Sequence, residues 1–215
     1  MDVGKKIPLA RILKGKFLKI AKVQDLVILE LLRKFDFILH GGTAVWRIYR
    51  GKRFSYDIDI YHRNPEEIAT YLSSSRFFSV ERKKLTPSNV LYLKLREEEV
   101  VELEASPPFR EFKTVEGEFA LTDGSSVIVK TLSPEELVRE KVEAFIGRRK
   151  ARDLYDIFYL LDFCRRERVK SAVSRLLPFI KNPPKDFEGL EEIILIGKAP
   201  SFGMIREKVK RYAEG

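Results

Sequence analysis

Two aspartates in the segment YDIDI, residues 56–60, are the side chains best suited to chemistry in this sequence. Successive side chains of a β-strand point to opposite faces, so Asp57 and Asp59 would share one face and the isoleucines beside them the other. Neighbouring carboxylates repel each other and are costly to desolvate unless a cation lies beside them. Carboxylate ligands that leave other positions open suit Mg²⁺ (or Mn²⁺) that also holds a nucleotide's phosphates. The sequence therefore predicts a metal site at Asp57 and Asp59, and the alternative is an ordinary solvated strand face.

A glycine pair and a short basic and polar segment precede these aspartates. Gly41, Gly42 and Thr43 follow a short apolar run, and an amphipathic turn or two comes next. Glycine lets backbone N–H groups come close to phosphates at the start of a helix. Arg53 and Ser55 then lead into the predicted strand, and alternation places Ser55 on the same face as the first aspartate. The glycines therefore predict a phosphate-binding helix start, whereas a simple strand hydroxyl is the alternative for Ser55.

The combined pattern, GGT at residues 41–43 followed by RxSxDxD at residues 53–59, resembles the first motif of the DNA polymerase β-like nucleotidyltransferase superfamily. Its spacing resembles that of the AbiEii/AbiGii toxin family within that superfamily. The resemblance implies that the GGT segment, Arg53 and Ser55 bind the nucleotide. It also implies that the two aspartates bind metal. It covers about residues 36–163, so the last fifty residues lie outside it.

A third acid is expected, because two metals roughly 3.5–4 Å apart need bridging and terminal carboxylates. The segment VVELEAS, residues 100–106, offers Glu102 and Glu104 on one strand face. The family tends to have an acid, an apolar residue and then serine, which favours Glu104 as the third ligand. Glutamate stands here where aspartate is frequent, and Ala105 where a larger apolar residue is usual. Glu102 remains open, and so does the interpretation of both as surface glutamates.

A second constellation lies in a later pair of helices, one carrying Lys141 and the next beginning ARDLYD. The block resembles the family's later motif. This implies that Lys141 holds the triphosphate, as a lysine can through its point charge, and that Asp153 points into the active site. Asp156 is expected to pair with Arg152 or to cap a loop. An exposed i,i+4 pair of that kind is worth about 0.5 kcal/mol.

The remaining pattern predicts an α+β fold, with a small mixed-sheet core followed by a C-terminal helical bundle, and the resemblance implies that this core is a nucleotidyltransferase core. Further strands are predicted at residues 77–85, 89–96, 99–105, 116–121 and 126–131. Helices are predicted at residues 23–34, 65–75, 133–145, 151–163, 169–180, 187–196 and 203–213. The composition shifts at a capping box that starts at Ser133, with proline at the first helical position. We therefore predict a catalytic subdomain, 1–132, and a helical subdomain, 133–215, that contributes Lys141 and Asp153 to the site.

Composition bounds the class of protein. The chain has 215 residues, of which 44% are hydrophobic and 34% charged, as in a globular protein. A single cysteine excludes an internal disulfide framework, and no apolar stretch reaches the length of a membrane span. A cytoplasmic location is expected, and the abundance of Lys, Arg and Glu points to a thermophilic source. The net charge of +9 fits either a lysine-rich surface or a polyanionic partner.

These observations favour Mg²⁺-dependent transfer of NMP from an NTP to an acceptor hydroxyl. The favoured acceptor is RNA, at a tRNA 3′ end, because the family resemblance includes tRNA modifiers and basic clusters occur at 14–22, 47–53 and 148–152. The resemblance also implies a toxin with a cognate antitoxin protein as partner. The alternatives are transfer to a small molecule or protein, and a non-catalytic nucleotide- or RNA-binding module. His40 is interpreted as a packed or solvated residue at the end of a strand.

Overall fold

The computed structural model describes residues 8–214 and contains a seven-stranded mixed sheet with helices around it. The strands are β1 (Ile38–His40), β2 (Ile58–Tyr61), β3 (Ser79–Leu85), β4 (Leu91–Arg96), β5 (Val100–Ser106), β6 (Thr114–Ala120) and β7 (Ser126–Leu132). Their spatial order is β3-β4-β5-β2-β1-β7-β6. Strand β2 runs parallel to β5 and β1 runs parallel to β7, whereas the other neighbours are antiparallel. The predicted α+β fold class is confirmed, and most of the predicted strands are found within two residues of their expected bounds.

The helices are α1 (Leu9–Ile12), α2 (Gly15–Leu32), α3 (Gly41–Arg47), α4 (Pro65–Ser73), α5 (Pro134–Arg148), α6 (Ala151–Leu160), α7 (Arg166–Ser174) and α8 (Phe202–Glu214). Short 3₁₀ segments cover Leu161–Phe163, Leu177–Phe179 and Glu188–Ile193. No helix within residues 8–214 is long and apolar enough to cross a bilayer.

Helix α2 begins eight residues earlier than predicted. The prediction rests on the apolar stripe that begins at Val23, but Gly15 is the first helical residue, with φ of +52°. The apolar stripe continues back through Ile20 and Ala21, which are buried, while the lysines of this segment are exposed. A continuous buried stripe thus extends the helix over residues 15–22, for which no helix was predicted.

The later helices differ from the prediction in type as well as length. The predicted cap of α5 is present: Ser133 Oγ accepts a hydrogen bond from the N–H of Glu136 at 3.4 Å, and Pro134 occupies the first helical position. The helix expected over 169–180 instead ends at Ser174, because Pro178 has no N–H to donate to the carbonyl of that residue. The helix expected over 187–196 is the 3₁₀ segment Glu188–Ile193.

The two faces of the sheet differ in how they are covered. On β4 and β5 one face is buried and packs against α2 and α4. Its inward side chains are Leu91, Leu93, Leu95, Val101, Leu103 and Ala105. The opposite face of these strands carries exposed and half-buried polar side chains, and we call it the open face. Helices α5 and α6 pack on α3 and join the same continuous apolar core. The division of the chain at residue 132 stays a prediction.

Candidate active site

The acidic residues of the predicted site lie side by side on the open face. Asp59 of β2 is in register with Glu104 of β5 and with His40 of β1. Adjacent strands are about 4.8 Å apart, so these three side chains form a short row across the sheet. Asp57 directly precedes β2, and it lines the same cavity as Asp59 and Glu104. The expected alternation is confirmed, because Ile58, which separates the two aspartates, is fully buried on the other face.

The register also separates the two candidate third acids. Glu104 is half-buried and lies directly beside Asp59. Glu102 lies one step along β5, is exposed, and forms an ion pair with Lys94 at 2.6 Å between Nζ and Oε1. The geometry therefore brings Glu104 into the row with Asp59, while Glu102 is engaged toward the sheet edge. The roles of these acids as metal ligands stay a prediction.

The carboxylates perturb one another. Burial, followed by the charge of Asp59, raises the pKa of Asp57, and Arg152 opposes this rise. Burial and then Asp59 also raise the pKa of Glu104, while His40 opposes the rise. A cation placed among these groups would stabilise the buried carboxylates and offset the repulsion from Asp59 that adds to the rise in both pKa values. The site is therefore electrostatically matched to a positive ion.

The oxygen donors at this site fit a metal ion that takes its remaining ligands from water and from the substrate. Within residues 8–214 no three acidic, histidine or cysteine side chains are arranged closely enough to hold a metal by themselves. Mg²⁺ is commonly held by one or two carboxylates together with water and phosphate oxygens, rather than by a complete protein cage. Asp57 and Asp59, with Glu104 beside them, supply hard oxygen donors of that incomplete kind.

The two glycines allow the start of α3 to approach the acids. Gly41 has φ of +68°, and a Cβ there would overlap the carboxylate of Asp59. A Cβ on Gly42 would lie 2.5 Å from Ser55 Oγ and 2.6 Å from Arg53 Nη2. Both positions therefore exclude side chains because of the groups predicted to form the site.

Other buried hydrogen bonds fix the segment that carries the aspartates. The hydroxyl of Thr43, which is fully buried, donates to the carbonyl of Asp57. Gln24 Nε2 donates to the carbonyls of Ser55 and Tyr56 at 2.9 and 3.0 Å. The sequence analysis missed Gln24, although a glutamine within the apolar stripe of α2 is a signal of such a buried polar contact.

A buried ion-pair network lies behind the glycines. Arg53 donates two hydrogen bonds to Asp156, at 2.6 and 2.5 Å. Lys141 Nζ lies 3.3 Å from Asp156 and 3.8 Å from Asp153. Arg148 donates two hydrogen bonds of 2.7 Å to Asp153. Both aspartates are completely buried, so the predicted phosphate-binding groups Arg53 and Lys141 are also the partners of buried carboxylates.

The expected pairing of Asp156 with Arg152 is wrong. Asp156 is satisfied by Arg53 and Lys141, and within residues 8–214 no carboxylate lies within ion-pair distance of Arg152. Arg152 instead lowers the pKa of Asp57 through its charge. It lines a cavity of about 350 Å³ shared with Ser55. Arg152 is thus a cation beside the acids, at the start of α6, with no carboxylate partner among the described residues.

His40 is packed, as interpreted, but it also has an ionic partner. Its Nδ1 lies 2.9 Å from Glu140 Oε2, and its ring stacks on Tyr61 with a centroid distance of 3.9 Å. Burial alone would lower the pKa of His40, but Glu140 and then Asp59 raise it above its ordinary value. Burial would raise the pKa of Glu140, and His40 and Lys141 together bring it below its ordinary value. This pair couples α5 to the row of acids, and the sequence analysis missed Glu140.

Solved structures with a similar fold come from nucleotidyltransferases and related proteins. JHP933 from Helicobacter pylori is 20% identical, with a TM-score of 0.61 over 94% of this chain and 92% of that one. A second H. pylori protein, provisionally assigned as a nucleotidyltransferase, is 20% identical, with a TM-score of 0.65 over 94% and 95%. The antibiotic-resistance factor ANT(2'')-Ia is 12% identical, with a TM-score of 0.50 over 74% and 90%. No curated protein sequence matches the chain.

Most of the chain also matches a known sequence family. Residues 33–195 of the 215 match the family described as "Nucleotidyl transferase AbiEii toxin, Type IV TA system". The match begins before the glycine pair and ends beyond Asp156, so it contains the row of acids and the buried ion-pair network. The chain therefore belongs to the AbiEii nucleotidyltransferase toxin family.

Proposed function

We propose that this nucleotidyltransferase uses a divalent metal, Mg²⁺ or Mn²⁺, to transfer NMP from an NTP to a hydroxyl of RNA. The observation that carries the proposal is the row of His40, Asp59 and Glu104 on the open face, with Asp57 beside it and Gly41 closely packed against it. Burial and then the charge of Asp59 raise the pKa values of Asp57 and Glu104, and a cation between these carboxylates would stabilise their charged forms.

The reaction needs one bond made and one broken. The acceptor oxygen attacks the α-phosphorus of the NTP, the bond from that phosphorus to the bridging oxygen breaks, pyrophosphate leaves, and the hydroxyl proton is released to solvent. Metal held by Asp57, Asp59 and Glu104 would supply positive charge to the phosphates and lower the pKa of the acceptor hydroxyl. In this proposal the start of α3 at Gly41 and Gly42 contacts the triphosphate through its N–H groups.

The helical part of the chain, 133–215, contributes cations to the same site in this proposal. Lys141 contacts a phosphate while it holds Asp153 and Asp156, since an ammonium group has three donors. Asp153 acts by positioning, because Arg148 and Lys141 already satisfy its carboxylate. Arg152 is placed to contact the nucleotide or the acceptor, since it lies beside Asp57 without a carboxylate partner within residues 8–214.

The proposed acceptor is the 3′ end of a tRNA, and the proposed setting is the cytoplasm, with an antitoxin protein as partner. The family description as the toxin of a type IV system supports the antitoxin, and the net charge of +9 supports a polyanionic acceptor.

The test is incubation of the full chain with labelled NTPs, Mg²⁺ and purified tRNA, together with tRNA affinity as a function of salt. About five phosphate contacts give a log–log slope of about −3.5 to −4.5, at roughly 0.7–0.9 per phosphate. Incorporation that requires Mg²⁺ and one tRNA end supports the proposal. Transfer only to small molecules or proteins would show that RNA is not the acceptor. NTP binding without any transfer would indicate a non-catalytic module.

A further inference from the structure

The row of acids continues across the open face to the edge of the sheet. Tyr92 of β4 is in register with Glu104, and Lys84 of the edge strand β3 is in register with Tyr92. The row therefore reads Lys84, Tyr92, Glu104, Asp59 and His40 across five neighbouring strands. The order of charge is cationic at the sheet edge, aromatic next, and acidic at the centre.

A second row lies beside the first and is also cationic toward the sheet edge and acidic toward the centre. Arg82 of β3 is in register with Lys94 of β4, which is in register with Glu102 of β5. All members of the two rows except His40 line one cavity of about 310 Å³, which Asp57 also lines. The cationic edge and the proposed reaction centre thus belong to a single open cleft.

The edge cations are available to an external anion. Within residues 8–214, Arg82 and Lys84 have no carboxylate at ion-pair distance, whereas Lys94 is paired with Glu102. The side chain of Tyr92 is exposed, with 41% of the residue's surface accessible. Two strand spacings, about 10 Å, separate the position of Lys84 from that of Glu104, so these cations do not neutralise the central acids.

We propose that Arg82, Lys84 and Tyr92, which we name the edge strip, bind the single-stranded 3′ segment of the RNA acceptor. This inference rests on the proposed function. A strand whose 3′-hydroxyl lies at Asp59 and Glu104 would extend along the rows toward the sheet edge. Tyr92 stacks on a base next to the reacting nucleotide, and Arg82 and Lys84 contact the phosphates that follow. Aromatic stacking combined with cations is how single strands are bound without base-edge recognition.

The chain contains a matched control for this surface. Lys83 is adjacent to Lys84 and is also exposed, but it is in register with Leu93, whose side chain is buried on the other face of the sheet. Lys83→Ala and Lys84→Ala therefore remove the same charge from neighbouring positions on opposite faces. Similarly, Tyr92→Phe keeps an aromatic ring that Tyr92→Ala removes.

The experiment measures the affinity of the full chain for a fluorescently labelled single-stranded RNA of roughly ten nucleotides ending in CCA, between low and physiological salt. Lys84→Ala is expected to reduce the magnitude of the salt slope by about 0.7 and the affinity at 0.1 M salt by about fivefold, the loss of one phosphate contact. Tyr92→Ala is expected to weaken binding at least about fivefold. Lys83→Ala and Tyr92→Phe are expected to bind RNA like the wild type, and all four variants to bind NTP unchanged.

Equal weakening of RNA binding by Lys83→Ala and Lys84→Ala would overturn the inference, because the loss would then reflect the net charge of the protein and not a contact on one face. Unchanged RNA binding in Lys84→Ala and Tyr92→Ala would also overturn it. NMP transfer to RNA separates this failure from failure of the proposed function. If the wild type and the strip variants transfer to RNA with the same KM, the acceptor is RNA but binds elsewhere. If the wild type transfers to no RNA, the proposed acceptor fails and the edge strip fails with it.

Discussion

The loss of unfolding free energy when Asp156 is replaced with asparagine tests the buried ion-pair network. The change keeps the shape of the side chain but removes a charge that accepts two hydrogen bonds from Arg53, and the two side chains are 0% and 3% exposed. Removing one partner of a buried ion pair costs about 3–5 kcal/mol, because the remaining charge is left uncompensated. For a chain of this length that loss lowers the Tm by about 6–20 °C. Thermal and urea unfolding of Asp156→Asn measure it directly.

The control is Arg152→Ala, together with a double-mutant cycle. Since Arg152 has no carboxylate partner within residues 8–214, its removal should change the free energy of unfolding by less than about 0.5 kcal/mol. Arg53→Met should make a subsequent Asp156→Asn much less costly, because the two residues act as one unit. If Asp156→Asn costs under about 1 kcal/mol and matches Arg152→Ala, as an exposed helical pair would, the network argument is refuted.

Three further predictions concern the acids and the glycine packed on them. Asp57→Asn and Asp59→Asn should each abolish NMP transfer in a labelled-NTP assay. Because the pKa of Asp57 is raised in the folded protein, the wild type should lose stability relative to Asp57→Asn as the pH rises through that pKa. Below the ordinary aspartate pKa the two proteins should unfold alike. An Asp57→Asn protein that is less stable than the wild type at neutral pH would contradict this. Glu104→Gln should lower kcat more than it lowers NTP affinity. If Glu102→Gln is the inactive variant instead, Glu102 is the third acid. Gly41→Ala should cost roughly 1–2 kcal/mol for its left-handed backbone and also displace Asp59, so full activity in a folded Gly41→Ala protein would contradict the packing described.

Local pattern in the sequence was enough for the parts of the site that lie close together in the chain. The alternation of Asp57 and Asp59 with buried isoleucines follows from the period of a strand alone. The start of α5 followed from a serine, a proline and a glutamate at fixed spacing. The pattern of strands and helices predicted the α+β class, and the family resemblance favoured Glu104, which lies in register with Asp59.

Contacts between distant segments could not be read in the same way. Arg53 and Asp156 are 103 residues apart in the chain, and only the packing of α6 against the segment before β2 joins them. The nearest partner in sequence, Arg152, was therefore chosen wrongly. The position of β1 between β2 and β7 is likewise a property of topology, and it is this position that places His40 beside Asp59. Short spacing indicates hairpin neighbours such as β6 and β7, but it does not show that β1 pairs with β7, which is far from it in the chain.

The same limit explains where the net positive charge of the chain is available. The cluster at residues 47–53 suggested an RNA-binding surface, but Arg47 is fully buried against Asp25, and Arg53 is buried against Asp156. These arginines are consumed by internal carboxylates, so they cannot release counterions from a nucleic acid. Residues 82–84 form a basic run that is not among the three predicted clusters. The register of the sheet turns Arg82 and Lys84 toward the face of the acids and Lys83 toward the opposite face. The electrostatic footprint of the chain is therefore determined by which cations lack an internal partner. In the part of the chain that the structure describes, Arg82 and Lys84 on the edge strand have no carboxylate at ion-pair distance.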